Sequence, residues 1–238
     1  MKTSLFTTEK KKPEYYQRML IHADSMLHQQ AERLLLQYIS PGASVIDIGA
    51  GAGAFSQRAK DLGYNVTALD IDEEKFTLKE IPFMKMDINE GIHLKDDTAY
   101  EAAVCLEVIE HVENPWNLLR EIERILKPGG LLILSTPNTT SFLSRLSFLR
   151  TGQFHQFGNA DLPYGHIRPI TAFELSTIAH RLGWRILEIS PGGYLPIFDF
   201  SSIRLNMLLF NALRGIIYLF AKGQKRGWCL FFVLEKSR

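Results

Sequence analysis

Cysteine is nearly absent: Cys105 and Cys229 are the only two among 238 residues, and each sits inside an apolar run. Two such thiols make no disulfide framework, which points to a reducing cytoplasm and away from a stapled secreted domain. An excess of one charge is missing too. Lys and Arg total 27 against 26 Asp and Glu, a net charge of +1, which argues against a large nucleic-acid surface while leaving room for a local basic patch. Residues 1–12 hold lysines but no apolar core of the kind a secretory signal needs. There is no internal repeat and no low-complexity tract. What the chain does have is 46% hydrophobic residues, enough for a single domain spanning 1–238 with a full core.

The most informative stretch is Ser44 to Gly53, Ser-Val-Ile-Asp-Ile-Gly-Ala-Gly-Ala-Gly. Val45, Ile46 and Ile48 read as a buried parallel strand, interrupted by Asp47. Gly49, Gly51 and Gly53 then alternate, and Phe55, Ala59 and Leu62 follow at helical spacing. Strand, glycine turn and helix form the place where a parallel α/β sheet binds a nucleotide-like ligand. Glycine there lets the backbone approach a ligand that a Cβ would push away. The dinucleotide fingerprint is Gly-x-Gly-x-x-Gly. Here the spacing is Gly-x-Gly-x-Gly, with an acid two residues before the first glycine, and that arrangement resembles motif I of the class I S-adenosylmethionine (SAM) methyltransferases. SAM carries an amino-acid tail in place of a pyrophosphate, and an acid such as Asp47 can attract its ammonium.

The resemblance implies a Rossmann-like α/β fold: a seven-stranded sheet in the order 3-2-1-4-5-7-6, strand 7 antiparallel, helices on both faces. The sequence supplies the elements. A helix is expected over 14–40, after a polar leader, with Met19, Leu20, Ala23, Leu27, Ala31, Leu34, Leu35 and Tyr38 near one face. In the family such a helix covers the SAM site. The second strand is expected at Asn65 to Asp72, with Asp70 about twenty residues after the glycine turn, where an acid accepts hydrogen bonds from ribose hydroxyls. Phe83 to Met86 gives a third strand ending at Asp87. By resemblance, Asp87 meets the adenine amine and Ile88 packs on the ring. The full set implied for the cofactor is Asp47, Gly49, Ala50, Gly51, Gly53, Asp70, Ile71, Asp87, Ile88 and Leu106.

Residues 101–138 are the second informative block and resemble the ubiquinone-biosynthesis O-methyltransferase type. Ala102 to Leu106 reads as a strand and Asn114-Pro115 as an N-cap with proline at the first helical position. The helix ends at Pro128-Gly129-Gly130, and Leu131 to Ser135 follows as a strand. Between them, Glu107-Val-Ile-Glu110-His111 places two carboxylates and an imidazole within one short segment. A phenol ionises near pH ~10, so methylating a hydroxyl calls for a base or a metal ion. An imidazole titrates near neutrality, which suits His111 to the base role, with Glu107 beside it. In the resembling enzymes, the ubiquinone type and the small-RNA 2′-O-methyltransferases, the Glu-x-x-Glu-His motif holds a divalent metal. Glu107, Glu110, His111 and the downstream His166 are the corresponding ligands here, for Mg²⁺, Mn²⁺ or Zn²⁺. Three simpler roles stand beside that one: Glu107 facing the methionine part of SAM, His111 starting a helix, and His166 positioning substrate without metal.

Residues 138–168 are rich in aromatics and placed to roof an acceptor site. Thr171-Ala-Phe-Glu174 is a capping box, and Trp184 to Ser190 and Cys229 to Glu235 read as the last two strands. The connection 191–228 is long and contains an apolar helical stretch, 202–222. At about 100° per residue, Arg204, Asn211, Arg214, Tyr218 and Lys222 share one narrow face. It is too short and interrupted to span a membrane. Two readings are open: a helix packed on the domain or on a homodimer partner, or an interfacial helix flanked by Lys222, Lys225 and Arg226. The second would place a cytoplasmic protein peripherally at the inner membrane surface. The function expected is SAM-dependent methyl transfer to a hydroxyl of a small or lipid- or glycan-linked acceptor. Transfer to nitrogen or carbon, and SAM binding without catalysis, are the alternatives.

Overall fold

The computed structural model describes residues 14–21, 25–94, 99–159, 161–193 and 223–237. The apolar stretch 202–222 lies outside them, and so does the question of what it packs against. The described elements are strands β1 (Glu14–Tyr16) and β2 (Met19–Ile21), helix α1 (Ser25–Tyr38), β3 (Ser44–Ile48), α2 (Ala54–Asp61), β4 (Asn65–Asp70), β5 (Phe83–Lys85), β6 (Tyr100–Leu106), α3 (Pro115–Ile125), β7 (Leu126–Pro137), α4 (Phe142–Thr151), α5 (Ala172–Arg181), β8 (Arg185–Gly192) and β9 (Cys229–Glu235). The main sheet has seven strands in the order β5-β4-β3-β6-β7-β9-β8. Counted from β3, that is 3-2-1-4-5-7-6. All pairs are parallel except those made by β9, which runs antiparallel to both neighbours.

Side-chain alternation divides the core between the two faces. Ile46, Ile48, Ala103, Cys105, Leu132, Leu134 and Phe232 pack under α3 and α5, through Leu118, Leu119, Ile122, Leu175 and Ile178. Val45, Ala102, Val104, Ile133, Phe231 and Val233 pack under α1 and α2, through Leu27, Ala31, Leu35, Phe55 and Ala59. Strand residues two apart point the same way, so Asp47 shares the face of Val45 and is directed at α2. Both expected caps are present. Asn114 Oδ1 accepts from the amides of Trp116 and Asn117, and Thr171 Oγ1 accepts from the amide of Glu174. Among the described residues no helix is long and apolar enough to cross a membrane.

The helix expected over 14–40 forms only from Ser25. Residues 14–21 make an antiparallel hairpin instead, turning at Gln17 and Arg18 with Gln17 at φ 54°. Two-residue hairpin turns favour positive φ. Met19 and Ile21 alternate with Leu20 and bury against Ala54, while Tyr16 Oη and Gln17 Nε2 both donate to Asp61 Oδ2, at 2.7 and 2.9 Å. A helix could not present both of those polar groups to α2 while burying Met19 and Ile21. Tertiary contact overrides local periodicity here.

At the amino ends of the central strands, Glu101 joins three elements: it accepts from the Ser44 amide at 2.6 Å, bonds the Ser44 hydroxyl and pairs with Lys127. The Lys127 ammonium, and then the Ser44 hydroxyl, hold its carboxyl at about 2, below the ordinary 4.5. A depressed folded-state value contributes stability above the unfolded one and loses it as pH falls through the folded one. Acid titration of thermal unfolding should therefore show a stability loss between pH ~4.5 and ~2 that is shallower in Glu101→Gln. An unchanged acid slope in that variant would remove Glu101 from the account.

Candidate active site

The carboxyl ends of β3, β4, β6 and β7 converge on one edge of the sheet. After β3 the chain turns through Gly49, Gly51 and Gly53, all at positive φ (75°, 54° and 85°). The amides of Gly49 and Ala50 donate to the Leu69 carbonyl at 2.8 and 3.1 Å, pinning the loop to β4. At the end of β4, Asp70 Oδ2 accepts from the Gly51 amide at 2.8 Å and Oδ1 from the Asp72 amide at 2.9 Å. Gly49 is bare for a packing reason: a Cβ there would stand 2.4 Å from Val108 Cγ2. Helix α2 follows Gly53 as its N-cap, with no side-chain cap and no acid of its own in the first turn; Asp47 instead accepts from the Ser56 amide there. Asp47 is buried against this helix, with Ser56 Oγ donating to its Oδ2 at 2.5 Å. Burial, and then the charge of Asp70, push its carboxyl up to about 7 despite the Ser56 hydrogen bond.

After β6, Glu107 adopts φ 54°, a left-handed conformation uncommon outside glycine. That turn brings its carboxylate to β7 and β9, where Ser135 Oγ donates to Oε1 at 2.7 Å and Cys229 Sγ to Oε2 at 3.1 Å. Val108 follows, and then a 3₁₀ turn over Ile109–His111. Glu110 is fully buried. Thr136 Oγ1 donates to its Oε2 at 3.3 Å, while Oε1 has no hydrogen-bond partner. Burial, and then the Glu107 charge, push the Glu110 carboxyl well above the ordinary carboxylate range. His111 Nδ1 lies 2.9 Å from the Gly165 carbonyl, and His166 Nδ1 lies 2.8 Å from the Gln156 carbonyl. A carbonyl only accepts, so both rings donate from Nδ1, and the Glu107 carbonyl stands as a second acceptor beside the His111 ring. The rings stand edge to face, 5.0 Å between centroids, and His111 Nε2 is 3.9 Å from Glu110 Oε1. Burial, and then the neighbouring His166, lower the His111 value, so its ring is neutral at pH 7.

These groups open onto a cavity of about 450 Å³ lined by Asp47, Gly49, Ala50, Gly51, Leu106, Glu107, His111 and His166. A family model described as a methyltransferase domain matches residues 20–189. The chain belongs to that family. Among curated relatives, the ubiquinone biosynthesis O-methyltransferase of Xanthomonas campestris pv. campestris is 33% identical over 108 residues, 42% of this chain and 45% of that protein. The enzyme of the same name from Burkholderia pseudomallei is 27% identical over 168 residues, 66% of this chain and 71% of that one. The chain thus spans under half the length of the first relative. A SAM-dependent methyltransferase from Archaeoglobus fulgidus superposes with a TM-score of 0.64 at 19% identity, covering 90% of this chain and 95% of that chain. At that identity the superposition speaks for the fold.

In this methyltransferase domain the expected residues divide into groups. The tail-side set, Asp47, Gly49, Ala50, Gly51 and Leu106, lines the cavity. Asp70, Ile71, Asp87 and Ile88 stand outside that lining, at the ends of β4 and β5. Ile71 is 60% exposed, and Asp87 Oδ1 is occupied by the amide and side chain of Asn89. Gly53 also stands outside, packed against Leu78 and Phe76. The expected four-residue metal set is reduced. Glu110, His111 and His166 place one ligand atom each within 4.8 Å of one another, whereas Glu107 is not in the group because its left-handed turn directs it to Ser135 and Cys229. Sequence reasoning missed Leu20, Leu27, His28, Gln156 and Trp228 as cavity residues. Leu20, Leu27 and His28 come from the N-terminal region expected to cover the site. Gln156 falls within the expected 138–168 roof, and nothing local marked Trp228.

Gly49→Ala tests the loop. A methyl group 2.4 Å from a buried, stiff valine must displace the Val108 segment as well as strain a φ of 75°. SAM affinity should fall at least tenfold, with a stability loss of about 2–3 kcal/mol. Gly129→Ala is the control: its φ is 76° but nothing lies within 4 Å of the new Cβ. It should cost about 1–2 kcal/mol and leave SAM titration unchanged. Equal SAM affinities for the two variants would show that the Gly49–Val108 contact does not shape the site.

Proposed function

We propose that this domain transfers the methyl group of SAM to a hydroxyl oxygen, with His111 as the base. The observation that carries the reading is the clamp on His111. Its Nδ1 is bound to the Gly165 carbonyl, so a neutral imidazole holds the Nε2 lone pair at the cavity wall. The acceptor oxygen attacks the methyl carbon, the C–S bond breaks and its electron pair stays on sulfur, and the hydroxyl proton passes to Nε2. Product leaves as a methyl ether with S-adenosylhomocysteine. The names of the curated relatives, which are O-methyltransferases, agree with an oxygen acceptor. Glu107, oriented by Ser135 and Cys229, lies on the same wall and supports the imidazolium as it forms.

A metal reading rests on a different observation, the unpartnered Oε1 of buried Glu110 near two imidazoles whose other nitrogens are fixed by carbonyls. Glu110, His111 and His166 would hold the ion, and their second contacts resemble those that orient metal-bound histidines. One carboxylate and two imidazoles suit Zn²⁺ or Mn²⁺. Such an ion would lower the pKa of an acceptor hydroxyl. Labelled-methyl transfer from SAM separates the readings. Under the base reading, chelator leaves activity intact and His111→Ala costs about 10²–10⁴ in rate. Under the metal reading, chelator and Glu110→Gln both stop turnover and leave SAM binding untouched. Activity that survives chelator and His111→Ala together would sink both.

Asp47 gives a pH test of cofactor placement. Its folded-state value of about 7 lies above the ordinary 3.8, so the protonated form is favoured in the fold, and the stability this contributes is lost as pH rises from ~3.8 through ~7. An ammonium beside Asp47 favours its ionised form. SAM affinity should therefore rise from pH ~5.5 to ~7, approaching tenfold per unit at the acid end. Asp47→Asn should bind SAM more weakly at pH 7.5 with a flat pH profile. A flat profile in the wild type would move the SAM ammonium away from Asp47.

A further inference from the structure

The cavity wall holds acids and neutral groups. Asp47 and Glu107 line it, and among the described residues no Lys or Arg does. With Asp47 matched to the cofactor ammonium, an acceptor carrying a carboxylate or phosphate would be desolvated beside Glu107 with no Lys or Arg among the described lining residues to offset it, an expensive arrangement. Among the described lining residues Gln156 is the one primary amide, and Tyr164 and Trp228 add a phenol and an indole N–H to the same wall.

Gln156 is an unusual residue for its position. The Phe157 amide donates to the Phe154 carbonyl at 3.1 Å, closing a turn in which Gln156 is the second central residue, with φ 70°. Glycine or asparagine suits such a place, and a larger side chain is strained there. The backbone duty of the residue, offering its carbonyl to His166 Nδ1, would be met equally well by glycine. The turn therefore does not account for the side chain. A neutral amide offers both a donor and an acceptor and carries no charge, which matches a wall that repels anions. We infer that the acceptor is an uncharged hydroxylated molecule, and that Gln156 is a specificity-determining residue that hydrogen-bonds a neutral polar substituent near the reacting hydroxyl. The inference rests on the hydroxyl-acceptor reading above and narrows it.

Two matched pairs of probes test it with the whole chain and labelled SAM: 3,4-dihydroxybenzamide against 3,4-dihydroxybenzoate, and methyl glucoside against glucuronate. Within the pair that is methylated, kcat/KM should favour the neutral member by about tenfold or more. Gln156→Leu should erase most of that advantage by raising acceptor KM, with SAM affinity unchanged. Gln156→Lys should turn the preference toward the anion. Gln156→Gly should melt at or above the wild-type temperature, since it relieves the turn, yet show the same loss as Gln156→Leu. That variant keeps the test valid if leucine or lysine disturbs folding. An anionic probe used as well as its neutral partner, or an unaltered acceptor KM in Gln156→Gly, would overturn the inference while leaving methyl transfer to oxygen in place. A protein that binds SAM and methylates neither pair would overturn the hydroxyl-acceptor reading, and this one with it.

Discussion

The contact between Gly49 and Val108 is the constraint on which the rest of the site depends. The glycine loop after β3 and the acidic loop after β6 leave adjacent parallel strands, and they can lie side by side only because Gly49 has no Cβ to collide with Val108. Val108 leads directly into the 3₁₀ turn that buries Glu110 and turns His111 to the cavity. The glycine loop and the loop proposed to carry the chemistry are thus packed as one unit. A shift in either moves the distance between a bound methyl group and the imidazole, and methyl transfer is sensitive to that alignment.

Three carboxyl groups near one cavity set a second constraint, because burying unpaired charge is costly. Each is handled differently. Asp47 accepts from the hydroxyl and the amide of Ser56, and burial still raises its proton affinity. Glu107 takes two side-chain donors, Ser135 and Cys229. Glu110 keeps one bare oxygen, and the Glu107 charge adds to the burial that favours its protonated form. Asp70 is a fourth acid and a different case: its carboxylate ties down the glycine loop through the Gly51 amide. The ribose contact expected of it is compatible with that bond, since each carboxylate oxygen offers a second lone pair.

The sheet was legible because its signals are local and periodic. Apolar runs marked β3, β6 and β9, glycines and caps marked the turns, and the resemblance supplied a strand order that the pairing bears out. Residues 14–21 were misread because Met19, Leu20 and Leu27 fit a helical stripe, while the facts that decide for a hairpin, Asp61 and Ala54, lie on a distant helix. Glu107 was grouped with Glu110 and His111 because spacing in the chain treats them as neighbours. Its positive φ, invisible in the sequence, sends it to Ser135 and Cys229 on strands far along the chain. His166 was grouped with Glu110 and His111 through the family resemblance, and the structure places one possible ligand atom from each within 4.8 Å of the others.

The roof is where legibility ends, and the reason is physical. Part of what the roof contributes is backbone: the Gly165 carbonyl accepts from His111 Nδ1 and the Gln156 carbonyl from His166 Nδ1. A carbonyl oxygen is common to every residue type, so no substitution pattern or motif reports it. What a sequence can report is the conformational requirement behind it, and here the two positions answer differently. Gly165 sits at φ 83°, where a Cβ would come within 3.0 Å of His111 Nδ1, so glycine is demanded both by the turn and by the ring it holds. Gln156 meets a comparable backbone requirement with a side chain that the turn disfavours. The same loop therefore fixes the protonation state of the chemistry and presents a neutral amide to whatever enters. Under the roles proposed for His111 and Gln156, nucleophile activation and acceptor choice would be coupled, because both depend on this one stretch of chain.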